Sequence, residues 1–283
     1  MTKKNSLFII AHGNNKHRPF YKQLNTNELK YLKNRFTKYT DSFISDRDKQ
    51  DNPFVLKKEH TKRVCKEILM LSDKLSISTE KTILAEAAAL LHDIGRFQQY
   101  KKYGTFLDAE STNHAKLSCK VIKEENMLDF CPAWEKNLLF NAIFFHNVFA
   151  LPANKSDSIL LILKLLRDAD KLDIWEVVTD HYLSEDQNSN RYISFGLKDN
   201  GEYSLEILKF LYNSKVADSK FVKTLNDLKL LQISWVFDLN FSHSVQRIQE
   251  KKCIEKIFST LPGTEELKQL AYHVDIYINK ITS

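Results

Sequence analysis

A scarcity of chain breakers constrains this sequence more than any other feature. Its 283 residues include only six glycines and five prolines. A sandwich or barrel of short strands needs a turn about every 8–12 residues, which so few breakers do not supply. No segment carries the glycine signature of a phosphate-binding loop. The composition therefore predicts an all-α fold.

Apolar residues at helical spacing divide most of the chain into helices. The predicted helices cover residues 28–45, 55–76, 79–93, 111–126, 133–148, 157–183, 203–213, 218–240, 243–260 and 264–282. Ser78 and Ser156 are placed to cap the helices that follow them. Gly95 is placed to end the helix before it. The segments left over are expected to be an irregular arm and two loops, at 1–27, 96–110 and 184–202.

Charge and cysteine content limit the classes of protein that fit. The formal net charge of +6 is spread along the chain, which disfavours a nucleic-acid partner and suits a small anionic substrate. The four cysteines form no CxxC pair, which is typical of reduced thiols in a cytoplasmic protein. No apolar stretch reaches the roughly 18 residues that a membrane span needs, so no membrane partner is expected.

Polar residues interrupt the apolar faces of the helices between 55 and 183. Residues three and four apart share a helix face. By this spacing four polar residues lie among aliphatic neighbours: His60, His114, His146 and Asp170. The pair His92–Asp93 ends another apolar helix. Taken alone, each histidine is best explained as a hydrogen-bonded residue of the core, and Asp170 is best explained as a partner in a buried hydrogen bond or ion pair.

Taken together, these residues predict a metal site. Every helix from 55 to 183 contributes one or two of them, and so many polar groups would stabilise an apolar core poorly. Nitrogen and oxygen ligands suit divalent transition metals. Asp168 competes with Asp170 as the ligand from the last of these helices. Because Asp170 has the more continuous apolar face, Asp168 is expected behind the ligands or at the surface.

The order of these residues resembles that of the HD-domain superfamily of metal-dependent phosphohydrolases. His60 begins the segment HTKRV, His92 and Asp93 stand in LLHDIGRF, and Asp170 stands in LLRDADKLD. The resemblance covers about residues 55–183 and implies an all-helical core. It also implies that these four residues hold one divalent ion.

Two further histidines extend the resemblance. His114 and His146 stand where HD members with two metals carry extra ligands, which implies a second ion held by Asp93, His114 and His146. The cofactor is therefore expected to be one or two divalent ions of Mn, Fe, Ni, Co or Zn. The sequence departs from the HD class that hydrolyses cyclic dinucleotides, because it has no Gly-Tyr-Pro element and Asn147 follows His146.

The resemblance implies a phosphomonoesterase or phosphodiesterase that acts on a nucleotide or another small phosphate ester. A bound divalent ion lowers the pKa of its water and polarises a phosphoryl oxygen. Asp93 and Lys171 are the expected catalytic residues. Arg63, Arg96 and Lys171 are expected to bind the phosphate, although each is equally compatible with an ion pair or a solvated charge.

Two other functions fit the same residues. The ligand series is also similar to that of the di-iron HD oxygenases, such as myo-inositol oxygenase, and a non-catalytic nucleotide-binding HD protein is a third candidate. The hydrolase is favoured because basic residues surround the motifs. The chain is divided into an arm with a leading helix (1–54), an HD core (55–183) and C-terminal helices packed on the same domain (184–283). The oligomeric state is left open.

Overall fold

The computed structural model describes residues 23–44, 52–184 and 191–282, and every regular element in these ranges is helical. The all-α expectation is confirmed. The α-helices are α1 (Thr26–Asp41), α2 (Pro53–Lys74), α3 (Thr79–Leu91), α4 (Gly95–Tyr103), α5 (His114–Glu124), α6 (Ala133–Phe145), α7 (Asp157–Leu183), α8 (Arg191–Ser194), α9 (Leu205–Tyr212), α10 (Leu225–Ser234), α11 (Ser242–Glu250), α12 (Cys253–Ser259) and α13 (Glu265–Thr282).

Polar side chains fix where several helices begin. Asn25 and Glu28 form a reciprocal capping box at the start of α1. Asn52 accepts hydrogen bonds from the first turn of α2, where Pro53 stands at the first position. Ser156 accepts from the main chain of Ile159, so the predicted cap of α7 is present.

Helix α7 lies at the centre of the molecule. It contacts α2, α3 and α6, and it also contacts α11 and α12 from the C-terminal region. Trp175 on α7 is fully buried and donates through its indole N–H to the carbonyl of Gln232 on α10, at 3.0 Å. The C-terminal helices therefore share one apolar core with the helices that precede them.

Gly95 allows two helices to approach closely. A Cβ atom at this position would lie 2.4 Å from the main-chain nitrogen of Ser118 and 2.9 Å from the carbonyl oxygen of His114. Only glycine leaves room for this contact, and its N–H donates to the Ser118 hydroxyl at 2.9 Å. The expectation that Gly95 ends a helix is wrong, because α3 stops at Leu91 and Gly95 begins α4. The contact brings the start of α5 against the segment that follows α3.

Three other segments differ from expectation. The predicted loop over 96–110 contains most of α4 and a 3-10 turn at Asp108–Glu110. The predicted helix over 218–240 is divided, because Asp218 and Thr224 accept main-chain hydrogen bonds that start new turns. The predicted helix over 243–260 is interrupted at Lys252, whose φ of +52° is left-handed.

Parts of the expected arm and of the second loop lie outside the described residues. These parts are 1–22 and 185–190. Within the rest of the second loop, Arg191–Ser194 forms the short helix α8.

The four cysteines carry free thiols, as the sequence predicted. Among the helices of the described ranges, none is both long and apolar enough to cross a membrane.

Candidate metal centre

Five helices bring the six predicted ligands into one cluster. His60 lies on α2, and Asp170 lies on α7. The other four stand at helix ends, directly after α3 (His92 and Asp93), at the start of α5 (His114) and directly after α6 (His146). Asp170 keeps 20% of its side chain exposed, and the other five residues are buried. Ligand atoms lie within 4.8 Å of one another in three sets: His60–His92–Asp93, His92–His146–Asp170 and Asp93–His114–His146.

Two of the histidines are oriented by the helices that they follow. The Nδ1 atom of His92 is 2.7 Å from the carbonyl oxygen of Ala89, and Nδ1 of His146 is 2.7 Å from that of Ile143. The last carbonyls of a helix have no partner within it, so each is free to accept this bond. Because a carbonyl can only accept, Nδ1 carries the proton and Nε2 keeps its lone pair.

The other two histidines are oriented by carboxylates. The Nδ1 atom of His60 donates to Asp173 and that of His114 donates to Asp108, each at 2.7 Å. These bonds leave the Nε2 atoms directed away from Asp173 and Asp108 and toward Asp93 and Asp170. Metal-binding histidines are typically held in this way, since the outer hydrogen bond fixes both the tautomer and the ring.

The inward Nε2 atoms lack hydrogen-bond donors. Those of His60 and His92 are buried and have no hydrogen-bond partner in the described part of the chain. The Nε2 atoms of His114 and His146 lie 3.0 Å apart. With both protons on Nδ1, two lone pairs would oppose each other at that distance. Such groups are costly to bury unless a cation satisfies them, so the residues fit a divalent metal.

Asp93 lies between the two halves of the cluster. Its Oδ2 atom is 3.7 Å from Nε2 of His60 and 3.8 Å from Nε2 of His92. Its Oδ1 atom is 3.5 Å from Nε2 of His114. Each oxygen therefore faces a different set of histidines.

The electrostatics of the cluster favour ionised acids and, at one end, neutral histidines. Burial disfavours the Asp93 carboxylate, but Lys57, His92 and Arg96 outweigh burial and hold its pKa well below the usual range. Burial, together with His114 and His92, lowers the pKa of His146 to about 3. A neutral imidazole and an ionised carboxylate are the forms that bind a metal.

Basic side chains surround the cluster and are held by acids. Lys57 places its ammonium 2.9 Å from Oδ2 of Asp93. Arg96 donates to the carbonyl of Phe106 at 2.5 Å and to Asp108 at 3.0 Å. These bonds fix charged groups beside the ligands.

Arg63 is the most exposed of the predicted phosphate-binding residues. It forms a two-point ion pair with Asp173, through Nε at 2.6 Å and Nη2 at 3.2 Å. About a third of its side chain remains accessible to solvent. Asp173 thus orients both a histidine of the cluster and a cation at its edge.

Comparison with known protein families agrees with this geometry. The model of the HD domain matches residues 58–175, a range that includes all six clustered residues. Residues 58–175 are therefore similar to an HD domain. Proteins of this family are generally metal-dependent phosphohydrolases, and HD domains bind divalent metals. No curated protein and no solved structure matches the chain.

Two predicted residues within the matched segment have surroundings other than those expected. The ammonium of Lys171 pairs with Asp238 at 2.8 Å, so its catalytic and substrate-binding roles stay predictions. Asp168 is fully buried and accepts main-chain hydrogen bonds from Asn240 and Phe241. Of the two positions expected for Asp168, behind the ligands or at the surface, the surface position is wrong, because this buried carboxylate anchors the start of α11.

Three side chains that contact residues of the cluster were not predicted. Lys57 stands one turn before His60, and this spacing was an available signal. Asp173 stands one turn after Asp170 and was visible in the motif DADKLD, but nothing in the sequence gave it a partner. Asp108 lies in a segment that was expected to be a loop, where spacing gives no information about contacts.

Proposed function

We propose that this chain is a metal-dependent phosphohydrolase that acts on a nucleotide or another small phosphate ester. One observation carries the proposal. Four histidine Nε2 atoms with fixed tautomers and two ionised carboxylates converge at a point that basic side chains surround. The match of residues 58–175 to the HD domain agrees with this reaction class.

The six ligands divide into two sets that share one acid. His60, His92, Asp93 and Asp170 would hold one ion, and Asp93, His114 and His146 would hold a second. When bound, divalent ions of Mn, Fe, Ni, Co or Zn supply an activated water at neutral pH and polarise a phosphoryl oxygen. Asp93 serves both sets, because each of its oxygens faces different histidines.

The basic side chains would bind the phosphate. The fork of Arg63 uses Nε and Nη2 for Asp173, which leaves Nη1 to donate to a phosphate oxygen. Arg96 and Lys57 are held beside Asp93 and add positive charge where a phosphoryl group would gather negative charge. Because these groups are already oriented by acids, little reorganisation is needed when substrate binds.

The residues of the cluster and around it favour the hydrolase over the two other candidate functions. A di-iron oxygenase uses a similar ligand series, but the basic groups around the cluster suit a phosphate better than an uncharged polyol. A non-catalytic HD protein is expected to lack some of the ligands. Here all six residues are present, and all except the partly exposed Asp170 are buried.

Elemental analysis and a substrate panel test the proposal. Purified protein is analysed for bound metal and assayed with phosphomonoesters and phosphodiesters under Mn²⁺, Ni²⁺ and Co²⁺. We expect metal-dependent release of phosphate or nucleoside. A mixed-valence di-iron centre with oxygen uptake would support the oxygenase instead, and bound metal without turnover of any substrate would support the non-catalytic protein.

Substitution of His114 tests the second ion. We expect His114→Ala to remove one of two bound ions and most of the activity, because its Nε2 atom faces His146 and Asp93. His273→Ala is the matched control, since His273 lies on α13 and contacts Ser214. If His114→Ala keeps the metal content and rate of the control, the two-ion arrangement is refuted.

A further inference from the structure

Arg167 is a buried cation that contacts the main chain around a predicted ligand. It lies on α7, and its side chain is only 4% exposed. Its Nη1 atom donates to the carbonyl oxygens of His146 and Val148, at 3.0 and 2.6 Å. Its Nη2 atom pairs with Asp238 at 2.5 Å. One guanidinium thus joins the end of α6 to the segment before α11.

The end of α6 needs such a group. The helix stops at Phe145, and His146 is the first residue beyond it. The last carbonyls of a helix lack partners, and a cation at this end is favourable. The ring of His146 is already fixed by the carbonyl of Ile143. Arg167 fixes the main chain of the same residue, so that both the ring and the backbone of His146 are held.

Asp238 makes the buried guanidinium tolerable. A cation taken out of water needs a nearby countercharge and hydrogen bonds for its remaining protons. Asp238 supplies the charge, and it also pairs with Lys171 at 2.8 Å. It lies in the 3-10 turn Trp235–Asp238, outside the segment that matches the HD family model. The part of the chain that follows the matched segment therefore contacts the His146 end of the cluster through Arg167.

We propose that Arg167 is a positioning residue for the His146 end of the metal centre, held in place by Asp238. It fixes the backbone from which His146 extends, and it does not itself bind the ion or the substrate. The inference rests on the proposed function, because it requires that His146 is a metal ligand.

Asp168 provides a matched control. It is the neighbour of Arg167 on α7, it is fully buried, and it anchors the same C-terminal segment through Asn240 and Phe241. The contacts of Asp168 in the described ranges go to this segment and not to the six ligands. Its loss should therefore weaken the fold without altering the position of His146.

The experiment measures Mn²⁺ binding and thermal stability in wild type, His146→Ala, Arg167→Lys, Asp238→Asn and Asp168→Asn. Lysine keeps the positive charge but lacks the planar fork that reaches two carbonyls and a carboxylate together. Isothermal titration calorimetry identifies the binding event that His146→Ala abolishes. We expect Arg167→Lys and Asp238→Asn to weaken that event about tenfold or more, as for other residues that orient ligands. Asp168→Asn should lower Tm and leave Mn²⁺ affinity unchanged.

Three results overturn the inference, and they differ in what else they affect. Wild-type affinity in Arg167→Lys would refute it and leave the proposed function intact. Equal losses of affinity in Arg167→Lys and Asp168→Asn would show that Arg167 supports only the fold. If Arg167→Lys does not fold, Asp238→Asn decides between these results. Wild-type protein that binds no Mn²⁺ or other divalent transition metal would refute the proposed function and the inference with it.

Discussion

Replacing Asp173 by asparagine tests whether the outer carboxylates control metal binding. The Asp173 side chain is 1% exposed and accepts from His60 Nδ1 at 2.7 Å and from Arg63 at 2.6 and 3.2 Å. Asparagine has the same shape but offers one oxygen and one NH₂ group. Whichever way the amide turns, at least one of its two partners loses an acceptor, because Oδ2 accepts from both His60 and Arg63 and Oδ1 accepts from Arg63.

Both orientations of the amide harm the site. If NH₂ faces His60, the ring must move its proton to Nε2, and the metal-binding lone pair is lost. If NH₂ takes the place of Oδ1, a donor faces Nε of Arg63, and in either orientation the charge of the ion pair is lost. Changes to residues that orient ligands typically cost about 10–100-fold in metal affinity, or about 1.4–2.7 kcal/mol. We expect Asp173→Asn to weaken Mn²⁺ binding by this factor.

The assay is competition for Mn²⁺ with a chelator at pH 7.5, where the unperturbed carboxylates are ionised. Asp180→Asn is the control, because Asp180 lies on the same helix, is exposed, and loses the same charge. Tm is measured for both variants, so that a loss of stability is separated from a loss of affinity. Equal Mn²⁺ affinities in Asp173→Asn and Asp180→Asn would refute the role of Asp173.

Two further predictions concern stability. Gly95→Ala should lower the free energy of unfolding by about 1–3 kcal/mol or more. The new Cβ would lie 2.4 Å from a main-chain nitrogen of α5, which cannot rotate away as a side chain could. Gly263→Ala has open space and should be near neutral, and similar Tm values for the two variants would contradict the close approach. In metal-free protein the pKa of His146 is lowered from 6.5 to about 3 by burial and by His114 and His92, so the unfolded chain takes up this proton first as the pH falls. This uptake leaves the free energy of unfolding unchanged above about pH 6.5 and lowers it by about 2 kcal/mol at pH 5. In urea titrations, the free energy of unfolding should therefore fall less between pH 7 and pH 5 for His146→Gln than for wild type. An equal fall in the two proteins would show that His146 is not buried as a neutral ring.

The sequence was informative about the fold where periodicity is long and uninterrupted. The bounds of α7 agree with the expected 157–183, because its apolar spacing continues from a good cap to a polar stretch. It was misleading where short polar residues compete for the backbone. Asp218 and Thr224 each start a new turn within a run that looked like one helix over 218–240, since their side chains offer the main chain local partners. Periodicity alone does not detect this competition.

The residues of the candidate site could also be predicted from the periodicity of the helices. Histidines and aspartates on apolar helix faces are visible in one sequence, and the structure brings all six together. Their partners are less visible, because a contact between Asp173 on α7 and His60 on α2 depends on how two helices cross. The same holds for Arg167, whose partners include main-chain carbonyls that have no sequence signature. Ligand assignments from sequence therefore stay predictions until metal binding is measured.

The way in which the four histidines are oriented divides the cluster into robust and vulnerable parts. His92 and His146 donate to main-chain carbonyls, which no side-chain substitution removes. His60 and His114 depend on Asp173 and Asp108, which single-nucleotide changes can replace. A natural variant could thus keep every residue by which the family is recognised and still lose its metal. When homologues of this chain are sorted into active and degenerate forms, Asp108 and Asp173 should be inspected along with the six ligands.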